Sequence, residues 1–359
     1  MRIAVDAMGG DHAPEAVVAG SVAAARELGA QILLVGPEAR IRQELAKYHP
    51  TVPTIEIVDA PEAIEMHEPP VMALRRKKRA SIIVAFEQLR AGRAEAVVSA
   101  GHTGAAMGAA LLGVGRIPGV DRPAIAAVLP TLSDHPAILL DVGANVDSKP
   151  FHLQQFALMG AVYASKVLRV PAPRVGVLSN GTEEGKGNDL TLQASALLRQ
   201  SGLNFIGNLE ARDFFTGVAD VVVCDGFVGN VAVKFGESLA LAIRAIVKGE
   251  LVGTRGRLLM LYLTPLARKV RRMWRRIDYR EIGGAPLLGI NGVCIIAHGS
   301  SNARAIRNAI RVAMEGVTHR FVEEIRTQMS TLDAKATPAP VVAAPPADSQ
   351  SPMREEDRA

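Results

Sequence analysis

Short runs made almost wholly of Val, Ile and Leu recur along the chain, and most are followed by an alanine-rich segment with helical spacing. The runs are IAVD at 3–6, ILLVG at 32–36, IEIVD at 55–59, AVVSA at 96–100, AILLDV at 137–142, VGVLS at 175–179, VVVCD at 221–225 and VCIIAH at 293–298. Helices are expected at 14–28, 151–168, 190–200 and 229–247. A strand with one wet face alternates apolar and polar residues; these runs do not, so both of their faces are buried. Helices packed on both sides of a mostly parallel sheet meet that demand, which predicts an α/β fold in the form of a three-layer α/β/α sandwich. Ligands in such sheets sit beyond the carboxyl ends of the strands, so function is sought in the loops there.

With 359 residues, 48% hydrophobic and 21% charged, the chain can bury a large core. One domain is expected over 1–330, with an amphipathic helical arm at 252–280 inside it. The remainder, 331–359, is rich in Ala and Pro without an aromatic residue and reads as a disordered tail. The start MRIAVDAMGG lacks the basic region and long apolar run of a secretion signal, and no apolar stretch approaches the roughly 18 residues of a membrane span, so a cytoplasmic protein is expected. Cys224 and Cys294 lie far apart in strand-like runs without metal spacing and read as buried reduced thiols. A net charge of +5 suggests acidic partners. Nucleic acid is disfavoured by 4% aromatic content and by the absence of a reading module.

Several strand-like runs end in loops of glycine and polar residues: DAMGGDHAP at 6–14, SAGHTGA at 99–105, DVGAN at 141–145, NGTEEGKG at 180–187, CDGFVGN at 224–230 and AHGSSNA at 297–303. Each has the order strand, loop, helix, which turns unpaired backbone N–H groups of a helix start toward a bound anion. Tight-turn geometry alone explains any single one of these loops. None matches GxxxxGK[ST], and none gives GxGxxG with an acidic residue about 20 positions on. Together they supply amide side chains (Asn145, Asn180, Asn188, Asn230, Asn302), histidines (His12, His102, His298) and one lysine, Lys186. That set suits a phosphate beside a polarised carbonyl better than proton abstraction by a strong base. Asn302 and Ser301 read as helix caps.

MGGDHAP, LDVGAN, NGTEEGKG, CDGFVGN and GGAPLLGINGVCIIAHGSS, in this order, resemble the bacterial phosphate acyltransferases of phospholipid synthesis, the PlsX family, from residue 1 to about 326. The resemblance implies transfer of a fatty acyl chain from acyl carrier protein (ACP) to inorganic phosphate, giving acyl phosphate for a membrane glycerol-3-phosphate acyltransferase. It also implies a homodimer, a fold similar to phosphate acetyltransferases and to isocitrate and isopropylmalate dehydrogenases, and neither metal nor cofactor. One departure is His102, where the family often carries Asn or Ser; His102 still donates a hydrogen bond.

Attack of phosphate on a thioester needs an anion cradle, alignment at the carbonyl, donors for the developing oxyanion and a proton for the leaving thiolate. Lys186, His298, Asn180 and Asn230 are the expected catalytic residues. Gly9, Gly10, His12, His102, Thr103, Asn145, Gly181, Thr182, Gly185, Gly187, Asp225 and Gly229 are expected to bind phosphate and substrate. Gly181, Gly185 and Gly187 let backbone amides approach the anion and Lys186 adds a point charge. Glu183 and Glu184 are read as pointing away. Because phosphate is largely dianionic at neutral pH, direct attack is preferred to an acyl-enzyme on Cys224. His298 can donate to the oxyanion or protonate the sulfur, or serve as a structural hydrogen-bond partner. Asp6, Asp141 and Asp225 can hold Mg²⁺ or accept loop N–H bonds, and the resemblance favours the second. A dehydrogenase using NAD and Mg²⁺ needs the dinucleotide fingerprint that is missing, and a basic membrane adaptor has no use for six polar strand-end loops.

The arm carries Leu266, Val270, Met273, Trp274 and Ile277 on one helical stripe, with Arg268, Lys269, Arg271, Arg272, Arg275 and Arg276 around it. It reads as a membrane-interface element, with Leu258, Leu259, Leu261, Leu263, Arg271, Arg272, Trp274 and Arg275 in contact, or as a dimer arm. The run Arg75-Arg76-Lys77-Lys78-Arg79 reads as a solvated helix start or as a patch that speeds the encounter with acidic ACP.

Overall fold

The structure, a computed structural model, describes residues 1–48, 52, 54–133, 135–251 and 279–336. The strands are β1 (Arg2–Asp6), β2 (Gln31–Gly36), β3 (Ile55–Asp59), β4 (Ala96–Ser99), β5 (Ala124–Leu129), β6 (Ala137–Leu140), β7 (Val175–Leu178), β8 (Phe205–Leu209), β9 (Val221–Val223), β10 (Ala285–Leu288) and β11 (Val293–Ile296). The helices are α1 (Glu15–Leu28), α2 (Glu38–Leu45), α3 (Pro70–Arg76), α4 (Ser81–Arg90), α5 (Thr103–Gly113), α6 (Pro150–Lys166), α7 (Asp189–Arg199), α8 (Gly226–Leu251), α9 (Tyr279–Ile282), α10 (Ala303–Thr318) and α11 (Phe321–Ala336). All eight expected strands are present. So are the four expected helices, each within a few residues of its expected ends.

The strands join into one sheet in the order β3-β2-β1-β4-β11-β10-β5-β6-β9-β7-β8. Pairing is parallel from β3 through β11 and again from β6 through β8. It is antiparallel at β11–β10, β10–β5 and β5–β6. The two parallel blocks therefore run in opposite directions, with β10 and β5 as the seam. One face is buried by α1, α6, α7, α10 and α11, through residues such as Val18, Phe156, Tyr163, Leu198, Ile310 and Phe321. α3, α4 and α5 cover the other face over the first block, through Leu74, Phe86 and Ala106. This is the expected three-layer sandwich. Asn188 and Asn302 cap α7 and α10, accepting the N–H of Thr191 and Ala305.

The structure departs from the sequence reading in several places. The seam strands β5 and β10 and the strand β8 were not expected. Arg75 and Arg76 end α3 instead of starting a helix, and Lys77–Arg79 connect it to α4. α11 runs to Ala336, six residues past the boundary placed after 330. Among the described residues the Ser301 hydroxyl is buried without a partner and caps nothing. In α8, the stretch Gly226–Ile243 is long and apolar enough to cross a membrane by length and composition, contrary to the expectation that none is. Its first turn nevertheless packs on β6, where a Cβ at Gly229 would lie 1.9 Å from the Asp141 carbonyl oxygen, so α8 belongs to the sandwich. The membrane-contact residues Leu258, Leu259, Leu261, Leu263, Arg271, Arg272, Trp274 and Arg275 lie outside the described residues.

Arg174 clamps the far block, donating to Asp220 from its backbone N–H at 2.8 Å and from its guanidinium at 3.0 Å. Burial works to raise the Asp220 carboxyl, but the Arg174 hydrogen bonds and charge outweigh it and hold the group below the usual carboxylate range. A depressed folded-state value contributes stability that is present above the unfolded value, about 4, and lost as pH falls through the folded one. Arg174→Ala is expected to cost about 2 kcal/mol near neutrality, less than a fully buried pair because Arg174 is half exposed. In thermal melts the difference from wild type should shrink as pH falls below about 4 and on through the lower folded-state value of Asp220, below which the carboxyl is protonated in both states.

Candidate functional site

Between α5 and α8 the seam strands form the floor of a cleft of about 630 Å³, within the range of small-molecule sites. One end is made by Gly101–Gly104 after β4 and by Ala297–Gly299 with Ser301 after β11. Val142 and Gly143 after β6, with Asn230, Val233, Lys234 and Glu237 of α8, make the other side.

β4 and β11 are parallel neighbours, with Ser99 beside Ile296, so His102 and His298 leave adjacent strand ends. The Nδ1 of His102 accepts the Gly104 N–H at 3.0 Å, which also caps α5. His298 Nδ1 accepts the Ser300 N–H at 3.1 Å and lies 2.8 Å from the Ser300 hydroxyl. A backbone N–H can only donate, so both Nδ1 atoms are acceptors and each neutral ring carries its proton on Nε2. Two imidazole N–H donors on one cleft suit a developing oxyanion or a phosphate oxygen.

The strand-end carboxylates hold loops in place. Buried Asp6 accepts from the Ser81 and Ser99 hydroxyls at 2.6 and 2.7 Å and from the Met8 N–H at 3.2 Å; burial pushes its carboxyl up. Asp141 accepts from the backbone N–H groups of Ile125, Gly143, Ala144 and Asn145 and from the Asn145 side chain. Burial raises its carboxyl, against those donors. Asp225 accepts the Val228 N–H at 2.9 Å in the first turn of α8. Burial pushes both thiols, Cys224 and Cys294, well above their usual range, and neither lines the cleft.

Of the residues expected from sequence, His102, Thr103, Asn230 and His298 meet at the cleft. Asn145 is buried and its amide donates to Pro123 O and Asp141, so it braces its loop and does not face a ligand. Gly9 and Gly10 act in packing: a Cβ on Gly9 would lie 2.6 Å from Gly101 N, and one on Gly10 2.9 Å from Gly299 O. His12 is exposed and off the cleft lining, while Gly229 and Asp225 serve the seat of α8. Asn180, Gly181, Thr182, Gly185, Lys186 and Gly187 form the loop after β7, two strands from β6, and do not line the cleft. There Glu184 turns to Arg199 at 3.0 Å, as expected of a glutamate that points away. The Lys186 ammonium makes no ion pair among the described residues. Asp11, Met66, Val233 and Glu237 line the cleft without having been singled out in the sequence. Asp11 lay within a quoted motif; the others carried no signal beyond helical or loop composition.

The family model described as "Fatty acid synthesis protein" matches residues 1–324. The chain is 52% identical over 335 residues to a phosphate acyltransferase of Pelotomaculum thermopropionicum, covering 93% of this chain and 97% of the relative. It is 54% identical over 327 residues to a phosphate acyltransferase of Heliobacterium modesticaldum, covering 91% and 97%. Among solved structures it is similar to a phosphotransacetylase from Streptococcus pyogenes (TM-score 0.60, 17% identity, 89% of this chain and 94% of that one). It is also similar to a branched-chain phosphotransacylase from Enterococcus faecalis (TM-score 0.53, 14% identity, 89% and 99%). At those identities the structural likeness shows the fold alone.

Proposed function

The chain belongs to the fatty acid synthesis protein family as a phosphate acyltransferase, and from that premise we propose that it moves a fatty acyl group from the ACP thioester to inorganic phosphate, releasing acyl phosphate for phospholipid synthesis. The observation that carries this reading is the pair of Nε2–H donors from His102 and His298 on a cleft that is polar at that end and apolar along its floor. A phosphate oxygen attacks the thioester carbonyl carbon, the carbonyl oxygen gains charge against these donors, and the C–S bond breaks as the thiolate leaves to take a proton. Incubating the purified protein with acyl-ACP and phosphate should yield acyl phosphate. Product that needs NAD and metal, or no product, ends this reading.

Three partners complete the proposal. For ACP, the support is the basic run beside α5. Lys77 is paired with Glu68 at 2.5 Å and Arg79 with Asp59 at 3.2 Å, while Arg75, Arg76 and Lys78 have no carboxylate partner among the described residues. For a homodimer, the support is α8, where Phe227, Val231, Phe235, Leu239 and Ile243, spaced four apart, are all exposed. For the inner membrane surface, and through it a membrane glycerol-3-phosphate acyltransferase, the support is the basic amphipathic sequence of 252–280.

Lys186 stays in the proposal as a phosphate contact, although its loop does not line the cleft, because Glu184 is paired with Arg199 and the Lys186 ammonium makes no ion pair among the described residues. Lys186→Ala is expected to raise the KM for phosphate about tenfold or more while the melting temperature stays within a degree or two, since an exposed loop lysine adds little to stability. Kinetics with phosphate varied would show it; an unchanged phosphate dependence removes Lys186 from the site.

A further inference from the structure

Two alanines face each other on the floor of the cleft. The antiparallel register that sets Leu287 opposite Ile125 and Leu288 opposite Ala124 puts Ala285 opposite Ala127, and both line the cleft. Opposed residues on neighbouring strands project to the same face, so two methyl groups stand side by side where Ile125 and Leu129 rise on either side along β5. Ala285 also pairs with Ile296, two residues before His298. Moving across the sheet from the histidine end, the order is therefore Ile296, Ala285, Ala127. At about 4.8 Å per strand, Ala285 lies roughly 5 Å and Ala127 roughly 10 Å from the β11 edge of the floor. Val142 and Val233 close the apolar side beyond.

We propose that the Ala285–Ala127 pair is a trough that seats the fatty acyl chain, with the thioester carbonyl at His298 and the chain crossing first Ala285 and then Ala127. In this arrangement the two alanines set how long a chain is accepted. The inference rests on the acyl transfer proposed above and adds the direction in which the chain lies. It has a graded consequence: a larger side chain at Ala285 obstructs carbons near the carbonyl, and one at Ala127 obstructs only those farther along.

The test is kcat/KM for acyl-ACP thioesters of eight, twelve and sixteen carbons, with the coenzyme A thioesters run in parallel so that carrier recognition and chain accommodation are read separately. Each methylene denied burial costs about fourfold, so Ala127→Leu should lower the sixteen-to-eight-carbon ratio of kcat/KM by about tenfold or more. Ala285→Leu should move the loss to shorter chains than Ala127→Leu does. If leucine prevents folding, judged by thermal melting, Ala127→Val and Ala285→Val carry the same comparison. Folded variants that keep the wild-type chain-length profile, or an Ala127→Leu variant that loses all lengths equally, overturn the trough and leave the reaction standing. A wild-type protein that makes no acyl phosphate from any thioester overturns the reaction, and the trough with it.

Discussion

His298→Ala is expected to lower kcat at saturating phosphate by about 100-fold or more, equivalent to about 2.7 kcal/mol of transition-state stabilisation, with much smaller changes in either KM. The reason lies in when its hydrogen bond matters. A thioester carbonyl carries little charge in the ground state and close to a full one as phosphate adds, so an N–H aimed at that oxygen acts mainly in the transition state. The Ser300 N–H at Nδ1 is what leaves the proton on Nε2. His298 is exposed, so the protein should melt near the wild-type temperature. His298→Gln, which keeps an N–H donor on a side chain of similar reach, should recover part of the rate. A normal kcat for the alanine variant would return His298 to a structural role, with His102 as the remaining donor.

The largest stability effect is expected at Asp141. Its two oxygens take five N–H donors between them, and it is fully buried. Asp141→Ala leaves those donors with neither acceptor nor water, and unmade hydrogen bonds of this kind cost about 1–3 kcal/mol each before relaxation. Allowing for partial rearrangement, a loss of about 4 kcal/mol is expected, a large share of the usual 5–15 kcal/mol total. Asp141→Asn should lose roughly half as much: with its carbonyl in the Oδ1 position it still accepts from Ile125, Gly143 and Ala144, but sets an amide against the two donors of Asn145. Urea denaturation gives both numbers. An Asp141→Ala loss under about 1 kcal/mol would mean that the loop is held by something else. Because Gly143 belongs to this loop and borders the cleft, the Asn variant should also weaken substrate binding while it remains folded.

Much of the sandwich was legible from local pattern. The runs of β1, β2, β4, β6, β7, β9 and β11 are buried on both faces, and continuous Val, Ile and Leu is the direct imprint of that burial. Asn188 and Asn302 were recognisable as cap residues because capping is satisfied within three residues. The glycine loops were equally visible, and four of the expected site residues do meet at the cleft.

The direction of the strands was not legible. β5, AIAAVL, is too rich in alanine, and β10, APLL, carries a proline at its second position, so neither stands out as a strand. Those two carry every antiparallel pairing in the sheet. Their presence turns the second block over, so the carboxyl ends of β6, β7 and β9 open at the opposite edge from those of β1, β4 and β11. Loops that look equivalent in sequence are thereby divided. His102 and His298 become neighbours, Asn230 reaches the same cleft from α8, and Lys186 stands two strands away from β6. Burial and capping act between a residue and its near surroundings and leave a trace in the sequence. Strand direction and pairing are chosen between segments more than a hundred residues apart, such as Ala124–Leu129 and Ala285–Leu288, and only the folded sheet records that choice.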